Sequence, residues 1–521
     1  MTPRLGRSAL LLLLLANAAL AQVTAKHAAL STASPIATRA GLAVLQNGGT
    51  AADAAVAVAF ALAVVHPQAG NLGGGGFVVY YDAQSRGVWT LDFRETAPRA
   101  ATREAFAKKT TGALSAGVPG TVAGLAALQQ KFGVRAWKEL LAPAIALARE
   151  TRPKDVELES DIAAAKRERN LDIAAPVPPP ELAATLQRLA DRGARDFYEG
   201  DIAKKIVDGV RAAGGIIGYR DLREYQPVWR APIKLRYGAY DLYTVPPPSA
   251  GGVMIGEALN ILANDDLAAS GFQSAKSIHL LAEAERRAAI DRTRYLGDPL
   301  GGRILFRELL SQKRAEQWRR SIEPLRATPT ASLTEPSQIS PEGEHTTHFT
   351  IADAQGNIAS LTTTLGDAFG SGFVVPSTGI LMNAAMNDFT SGANALDPLK
   401  RPASSLSPMI VLRDNKPFLA LGTRGGASIP STILQVFLNV VVYGKSLPDA
   451  IAAPRFHQQD VPEDLFYEQA RTPPKMIEAL NAIGHGVQAR ESMGDVHAIL
   501  IENGRLIAVA DPRRGGAAGG Y

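Results

Sequence analysis

A fold mixing α-helices and β-strands through the whole chain is what the sequence predicts, and three observations predict it. Two β-branched runs, Thr346-Thr347-His348-Phe349-Thr350 and Thr362-Thr363-Thr364, flank a polar turn at Asp353-Ala354-Gln355-Gly356-Asn357, the pattern of a hairpin. Ala51 to Val65 is apolar on nearly every side, which marks a buried helix. Strand-like and helix-like stretches then alternate from end to end.

Met1 to Ala21 has the form of an export signal. Arg4 and Arg7 make the basic region, Ala9 to Leu15 the apolar one, and Ala19-Leu20-Ala21 a small-x-small cleavage site before Gln22. The apolar run is too short to span a bilayer comfortably, and no later segment is long and apolar enough to try. Removing Arg4 and Arg7 takes the net charge from +5 to +3, too little at this length to imply nucleic-acid or membrane binding. The expected mature protein is exported, periplasmic or secreted. The chain has no cysteine, which excludes disulfides, thiolate metal sites and cysteine nucleophiles.

Thr50 is the expected N-cap of the helix Ala51 to Val65. Gly70 to Gly76 leads into the strand Phe77 to Tyr81. A phosphate loop follows a strand instead of preceding one, so these glycines are read as close backbone packing. Trp89 to Phe93 is a second strand, ending at Arg94-Glu95. An arginine there can clamp a carboxylate in two-point fashion or pair with Asp92 or Glu95. A helix opens at Gly117-Val118-Pro119-Gly120-Thr121, helices and Pro-rich breaks such as Val177-Pro178-Pro179-Pro180 follow to Arg220, and Ile233 to Tyr237 and Tyr240 to Val245 are strands. A rigid loop, Pro246 to Gly252, precedes a helix, and Lys276 to Arg294 is helical up to a stop at Gly297-Asp298-Pro299. Ala327 to His345 is rich in Pro, Ser, Thr and Glu without apolar periodicity, an accessible and cuttable loop.

The hairpin brings Thr346 and Thr364 to facing positions near its open end, one side set directed to a core and the other to a surface. A threonine hydroxyl needs a base, and its own α-amine can be that base if it is a chain terminus. Such an amine has a pKa of about 7.7–8, suited to accepting and returning a proton near neutrality. Thr346 is internal, so the His345–Thr346 bond must first be cut. Further on, Gly379 to Asn383 is strand-like and leads to Asn387-Asp388-Phe389; Arg401 to Pro408 is a hydroxyl-rich loop, and Met409 to Leu412 a strand. Gly425-Gly426 precedes the helix Ile429 to Val442, where successive backbone N–H groups suit an oxyanion.

Thr-Thr-His-x-Thr at 346, Gly356-Asn357, Thr362-x-Thr364 and Phe369-Gly370 closely resemble the signature of the γ-glutamyltranspeptidases, self-cleaving N-terminal-nucleophile hydrolases. So do Asp92 to Pro98, Pro246 to Gly252, Gly494-Asp495 and Asp511 to Gly516. The resemblance implies a four-layer αββα sandwich, two stacked mixed sheets flanked by helices. It implies one structural unit cut between His345 and Thr346 into a large piece, Gln22 to His345, and a small one, Thr346 to Tyr521, which stay together. Thr346 would be nucleophile and, through its new amine, base, with Thr364 hydrogen-bonded to its hydroxyl. Arg94, Ser404 and Ser405 would hold the α-carboxylate of a γ-glutamyl group, Asp388 its ammonium, and Gly425 and Gly426 an oxyanion. Glutathione or another γ-glutamyl amide would be the donor, and water or an amino acid or peptide amine the acceptor; no cofactor or metal is implied.

Ala359 stands where the family usually has Val, Gly366 where it has Asn, and Ala385 where it has Gln or Glu. Loss of the last two groups predicts weaker selection for the α-amine, so a glutaryl or β-lactam side-chain amidase is the alternative within catalysis. An exported binding protein without turnover is the alternative outside it. The connection from Phe389 to Arg401 is short where many members of the resembled family place a longer lid, which predicts a bias toward hydrolysis. His345-x-x-His348 lacks a third metal ligand at a sensible spacing. Gly444-Lys445-Ser446 lacks the first glycine of a phosphate loop, Asn439 standing there. No Gly-x-Ser-x-Gly elbow occurs, and Asp291-Arg292 and Asp495 are read as structural ion pairs.

Overall fold

The computed structural model describes residues 21–106, 108, 110–150, 156–171, 173, 178–298, 306–334, 343 and 345–521. The export signal up to residue 20, Val177, Pro299 and the centre of the loop before His345 lie outside the described residues.

Two seven-stranded sheets form the centre. The first runs, edge to edge, Ala517–Gly520, Ala29–Thr32, Thr346–Ala352, Ile358–Thr364, Gly75–Asp82, Gly87–Asp92 and Val228–Arg230. The second runs Gln22–Ala25, Arg505–Ala510, His497–Glu502, Lys416–Gly422, Met409–Arg413, Tyr240–Thr244 and Ile233–Tyr237. Every pairing in both is antiparallel, which corrects the expectation of mixed sheets. Five of the twelve neighbouring pairs are hairpins, which are antiparallel by construction, and the other seven join segments distant in sequence that also run in opposite directions. Both sheets interleave strands from before and after residue 345.

Helices close the outer faces. Pro35–Gln46, Ala51–Val65 and Thr121–Phe132 lie over the first sheet, and Gly251–Ile261 and Ile429–Val441 over the second, with the 21-residue helix Ala275–Tyr295 packed behind Gly251–Ile261. The four-layer αββα order is therefore present.

The central hairpin has the expected register, with Thr346 opposite Thr364 and Ala352 opposite Ile358. Its environment corrects the expected half-exposed surface, because both strands are buried along their whole length. Phe349, Ile351, Ala359 and Leu361 face the helix layer. The polar face meets the second sheet instead of water: the Thr350 hydroxyl donates to the His497 carbonyl at 2.9 Å, and the Ser360 hydroxyl to that of Leu421 at 3.1 Å. Buried hydroxyls need such partners, and the facing backbone supplies them. The His348 ring lies so close to Gly422 that a Cβ there would sit 2.3 Å from it.

At the turn, Gly356 takes φ +87°, which glycine allows freely. Asn357 uses its side chain instead, accepting the Ala83 N–H and donating to Asp353. Asp353 also accepts the Ala51 N–H at 2.8 Å. Thr50 and Asp53 form a capping box on the same helix, so cap, helix and hairpin turn are one polar unit.

Candidate active site

Thr346 begins its strand and is 2% exposed. Its hydroxyl donates to the Thr364 hydroxyl at 3.2 Å. Thr364 in turn donates to the carbonyl oxygen of His345 at 3.1 Å and accepts the Gly366 N–H at 2.9 Å. One hydroxyl thus touches both the candidate nucleophile and the carbonyl of the bond before it. Gly366 has φ +87°, a conformation costly for most side chains, which accounts for glycine at this corner.

The next strand over explains the glycine run. Gly75 is opposite Thr364. A Cβ on Gly74 would meet the Thr364 carbonyl oxygen at 2.2 Å, one on Gly76 that of Thr362 at 2.3 Å, and one on Gly75 the Glu95 carboxylate at 2.6 Å. Close backbone packing is the right reading, and it also makes room for Glu95 at the sheet end.

There Arg94 is 2% exposed and donates to Glu95 at 2.7 Å and to Asp388 at 2.5 Å. Of the clamp and the ion pair, the structure shows the ion pair, with Glu95 and with Asp388, the residue expected to hold an ammonium. Burial pushes the Glu95 carboxyl up, against the pull of Arg94. Ser404 and Ser405 are buried in the adjoining loop, where Ser404 bridges to Ser249. Arg401 fastens that loop to Asp92 at 2.8 Å and to the Arg94 carbonyl at 3.1 Å.

Two asparagines that the sequence did not single out set this geometry. Asn383 donates to the carbonyls of Gly73 and Gly117 and accepts the N–H groups of Gly117 and Ala385. Asn394 donates to the Asp388 carbonyl and accepts the Ala403 N–H. The short 389–401 connection is held down, since Lys400 donates to the carbonyls of Ala393 and Ala395. The Ala385 methyl packs near Gly117. Nothing local in the sequence announced either asparagine, because their partners lie far away in the chain.

Gly425 and Gly426 take φ +131° and +55° at the entry to the helix Ile429–Val441. Their loop follows Gly422, which abuts His348, so it lies along the Thr346 edge. Its Arg424 donates to His345 Nδ1 at 3.0 Å and faces Glu157 at 3.5 Å. His348 contacts Thr362 at 2.8 Å and Thr350 at 3.0 Å, so the two histidines serve separate partners. Asp495 contacts the His497 ring at 3.2 Å, and its N–H donates to the Thr423 hydroxyl at 2.8 Å. Asp291 is bound by Arg314 and, at 2.8 Å, by the Trp318 indole N–H. Asp291 is thus in an ion pair, but with Arg314 instead of the adjacent Arg292, and Asp495 is engaged by the His497 ring.

The arrangement gathers a candidate hydroxyl nucleophile, a second hydroxyl paired with it, a Gly-Gly turn and a buried cation–carboxylate pair around one end of the central strands. Comparison with known proteins agrees with it. A glutathione hydrolase proenzyme of Escherichia coli K12 is 36% identical, over 94% of this chain and 91% of its own. One from Pseudomonas aeruginosa is 38% identical, over 90% of each. Among solved structures, a cephalosporin acylase from Bacillus halodurans superposes with TM-score 0.87 at 28% identity, covering 96% of this chain and 97% of its own. A γ-glutamyltranspeptidase chain from Helicobacter pylori gives 0.55 at 36% identity, covering 58% of this chain and 94% of its own. The Gamma-glutamyltranspeptidase family model matches residues 37–521, a span that takes in the threonine pair, the Arg94 corner and the Gly-Gly turn together. The chain belongs to the γ-glutamyltranspeptidase family.

Proposed function

We propose that the chain is the precursor of an exported γ-glutamyltransferase and glutathione hydrolase that cuts itself between His345 and Thr346. The observation that carries this is the shared Thr364 hydroxyl, 3.2 Å from the Thr346 hydroxyl and 3.1 Å from the His345 carbonyl oxygen. In the cut, Thr346 Oγ bonds to the His345 carbonyl carbon as the C–N bond breaks, and the hydroxyl proton ends on the departing nitrogen. Water then opens the ester, leaving a carboxylate on His345 and a free amine and hydroxyl on Thr346.

In turnover, that amine takes the Thr346 hydroxyl proton as Oγ attacks the γ-carbonyl of the donor, and returns it to the leaving amine. The N–H groups of Gly425 and Gly426 receive the oxyanion. Water or an acceptor amine then takes the acyl group from Thr346. Arg94 with Ser404 and Ser405 receives the α-carboxylate, and Asp388 the ammonium. The Arg94–Asp388 ion pair supports this assignment, because an α-amino-acid zwitterion replaces one internal pair by two intermolecular ones and leaves neither charge bare.

A glutaryl or cephalosporin acylase is the second reading. The acylase structural neighbour and the missing groups at Gly366 and Ala385 favour it. Against it, a glutaryl carboxylate on Arg94 would draw that cation from Asp388 without supplying another. A binding protein without turnover is disfavoured by the intact Thr346, Thr364, Arg94 and Gly425-Gly426 set. The test is turnover of γ-glutamyl-p-nitroanilide alongside a denaturing gel. Two bands with turnover support the reading, and one uncut band without turnover overturns it.

A further inference from the structure

We propose that Arg424 is a positioning residue for self-cutting, acting through the imidazole of His345. The inference rests on the reading that the chain is cut after His345. Arg424 is buried, and it stands one position before Gly425, on the turn assigned to the oxyanion. Its Nη2 lies 3.0 Å from His345 Nδ1. A guanidinium can only donate, so Nδ1 must accept, which fixes the neutral tautomer with its proton on Nε2. Protonating the ring would remove that acceptor and set two cations against each other. Burial and the neighbouring arginines hold the ring neutral far below its usual range.

His345 is thereby pinned at two points on either side of its own backbone. Thr364 holds the carbonyl oxygen at 3.1 Å, and Arg424 holds the side chain. An attack by the adjacent Thr346 demands a constrained approach to the carbonyl carbon, and small misplacements there are costly. The Arg424 guanidinium is itself placed by Glu157, 3.5 Å away, whose Oε1 also accepts from Arg514 at 3.1 Å. Asp161 and Asp495 complete the surroundings of the arginine pair. The helix Val156–Arg169, from the large piece, and the Gly-Gly turn and C-terminal segment, from the small one, therefore converge on the bond to be cut. Among the described residues, His345 is the partner of Arg424 that carries the bond to be cut. After cutting, His345 is a chain end, and this role of Arg424 is over.

The test is a double-mutant cycle on the rate of band conversion in the full chain. His345→Ala and Arg424→Met should each slow cutting about tenfold or more, the loss expected for a hydrogen bond to a charged group. The double variant should be no slower than the slower single one, because both remove the same contact. His345→Asn places an acceptor oxygen where Nδ1 stood and should restore most of the rate. It should do so with Arg424 present and not in Arg424→Met. His345→Ala at the wild-type rate, or effects that multiply in the double variant, would overturn the proposal. A wild-type chain that is never cut would overturn the functional reading and this inference together. That result differs plainly from cutting that is indifferent to residue 345.

Discussion

Replacing Asp388 by Asn separates the two substrate classes most sharply. The change keeps side-chain volume and removes one negative charge. That charge pairs with Arg94 at 2.5 Å, beside the Arg94–Glu95 pair, and the Asp388 side chain is only 12% exposed. On the proposed assignment, Arg94 would turn to the carboxylate of a bound γ-glutamyl group and Asp388 to its ammonium. A hydrogen bond between charged partners in such a setting is worth about 1.5–3 kcal/mol. Losing it lowers kcat/KM for γ-glutamyl-p-nitroanilide by roughly 10- to 150-fold. Glutaryl-p-nitroanilide has no ammonium to lose, and its carboxylate no longer competes with Asp388 for Arg94. Its kcat/KM should hold or rise. The assay is initial rates on both anilides with wild type and variant, normalised to cut enzyme. Equal losses on both substrates would refute the reasoning, since Asp388 would then act only by holding Arg94.

Other consequences follow from the same geometry. Thr364→Val removes the hydroxyl between Thr346 and the His345 carbonyl, and should slow cutting by roughly 10²–10³, as loss of a preorganised donor does elsewhere; a gel time course reads it. On the proposed reading the short, tied-down 389–401 connection would leave the acyl-enzyme open to water, so the ratio of transfer to hydrolysis with a dipeptide acceptor should be low, and a high ratio would count against an open site. Stability should have an optimum in pH. Burial pushes His457 down to about 4, so between that value and about 6.5 the unfolded chain binds the extra proton and stability falls as pH falls, by about 1.4 kcal/mol per unit. Burial pushes Glu285 up to about 8, so the folded carboxyl keeps its proton from about 4.5 upward and stability falls as pH rises through that window. Glu285→Gln should therefore raise Tm at pH 8 more than at pH 5, and equal shifts at both would contradict the assignment.

The hairpin and its register were legible because β-branched runs, an Asp-to-Asn turn and paired hydroxyls are local signals. Thr346 and Thr364 lie opposite each other because the turn length fixes their pairing. What the hydroxyls face was not legible. Alternation looks the same whether the polar side meets water or the backbone of a second sheet, and here Thr350 and Ser360 meet backbone carbonyls. The antiparallel pairing escaped for a similar reason, since strand direction depends on which distant segments become neighbours. Arg94 was visible as a strand-end cation, but its bond to Asp388 joins residues far apart in sequence. Asn383, Asn394 and Arg424 gave no signal at all, because each acts through partners from other segments. Gly74 to Gly76 were legible as close packing, yet not as the space that receives Glu95.

N-terminal sequencing of the shorter fragment is the most direct test of the account. A single sequence starting Thr-Thr-His-Phe-Thr is predicted from wild type, with no fragment from Thr346→Ala. A start at any other residue, or full activity in a chain that stays whole, would contradict it.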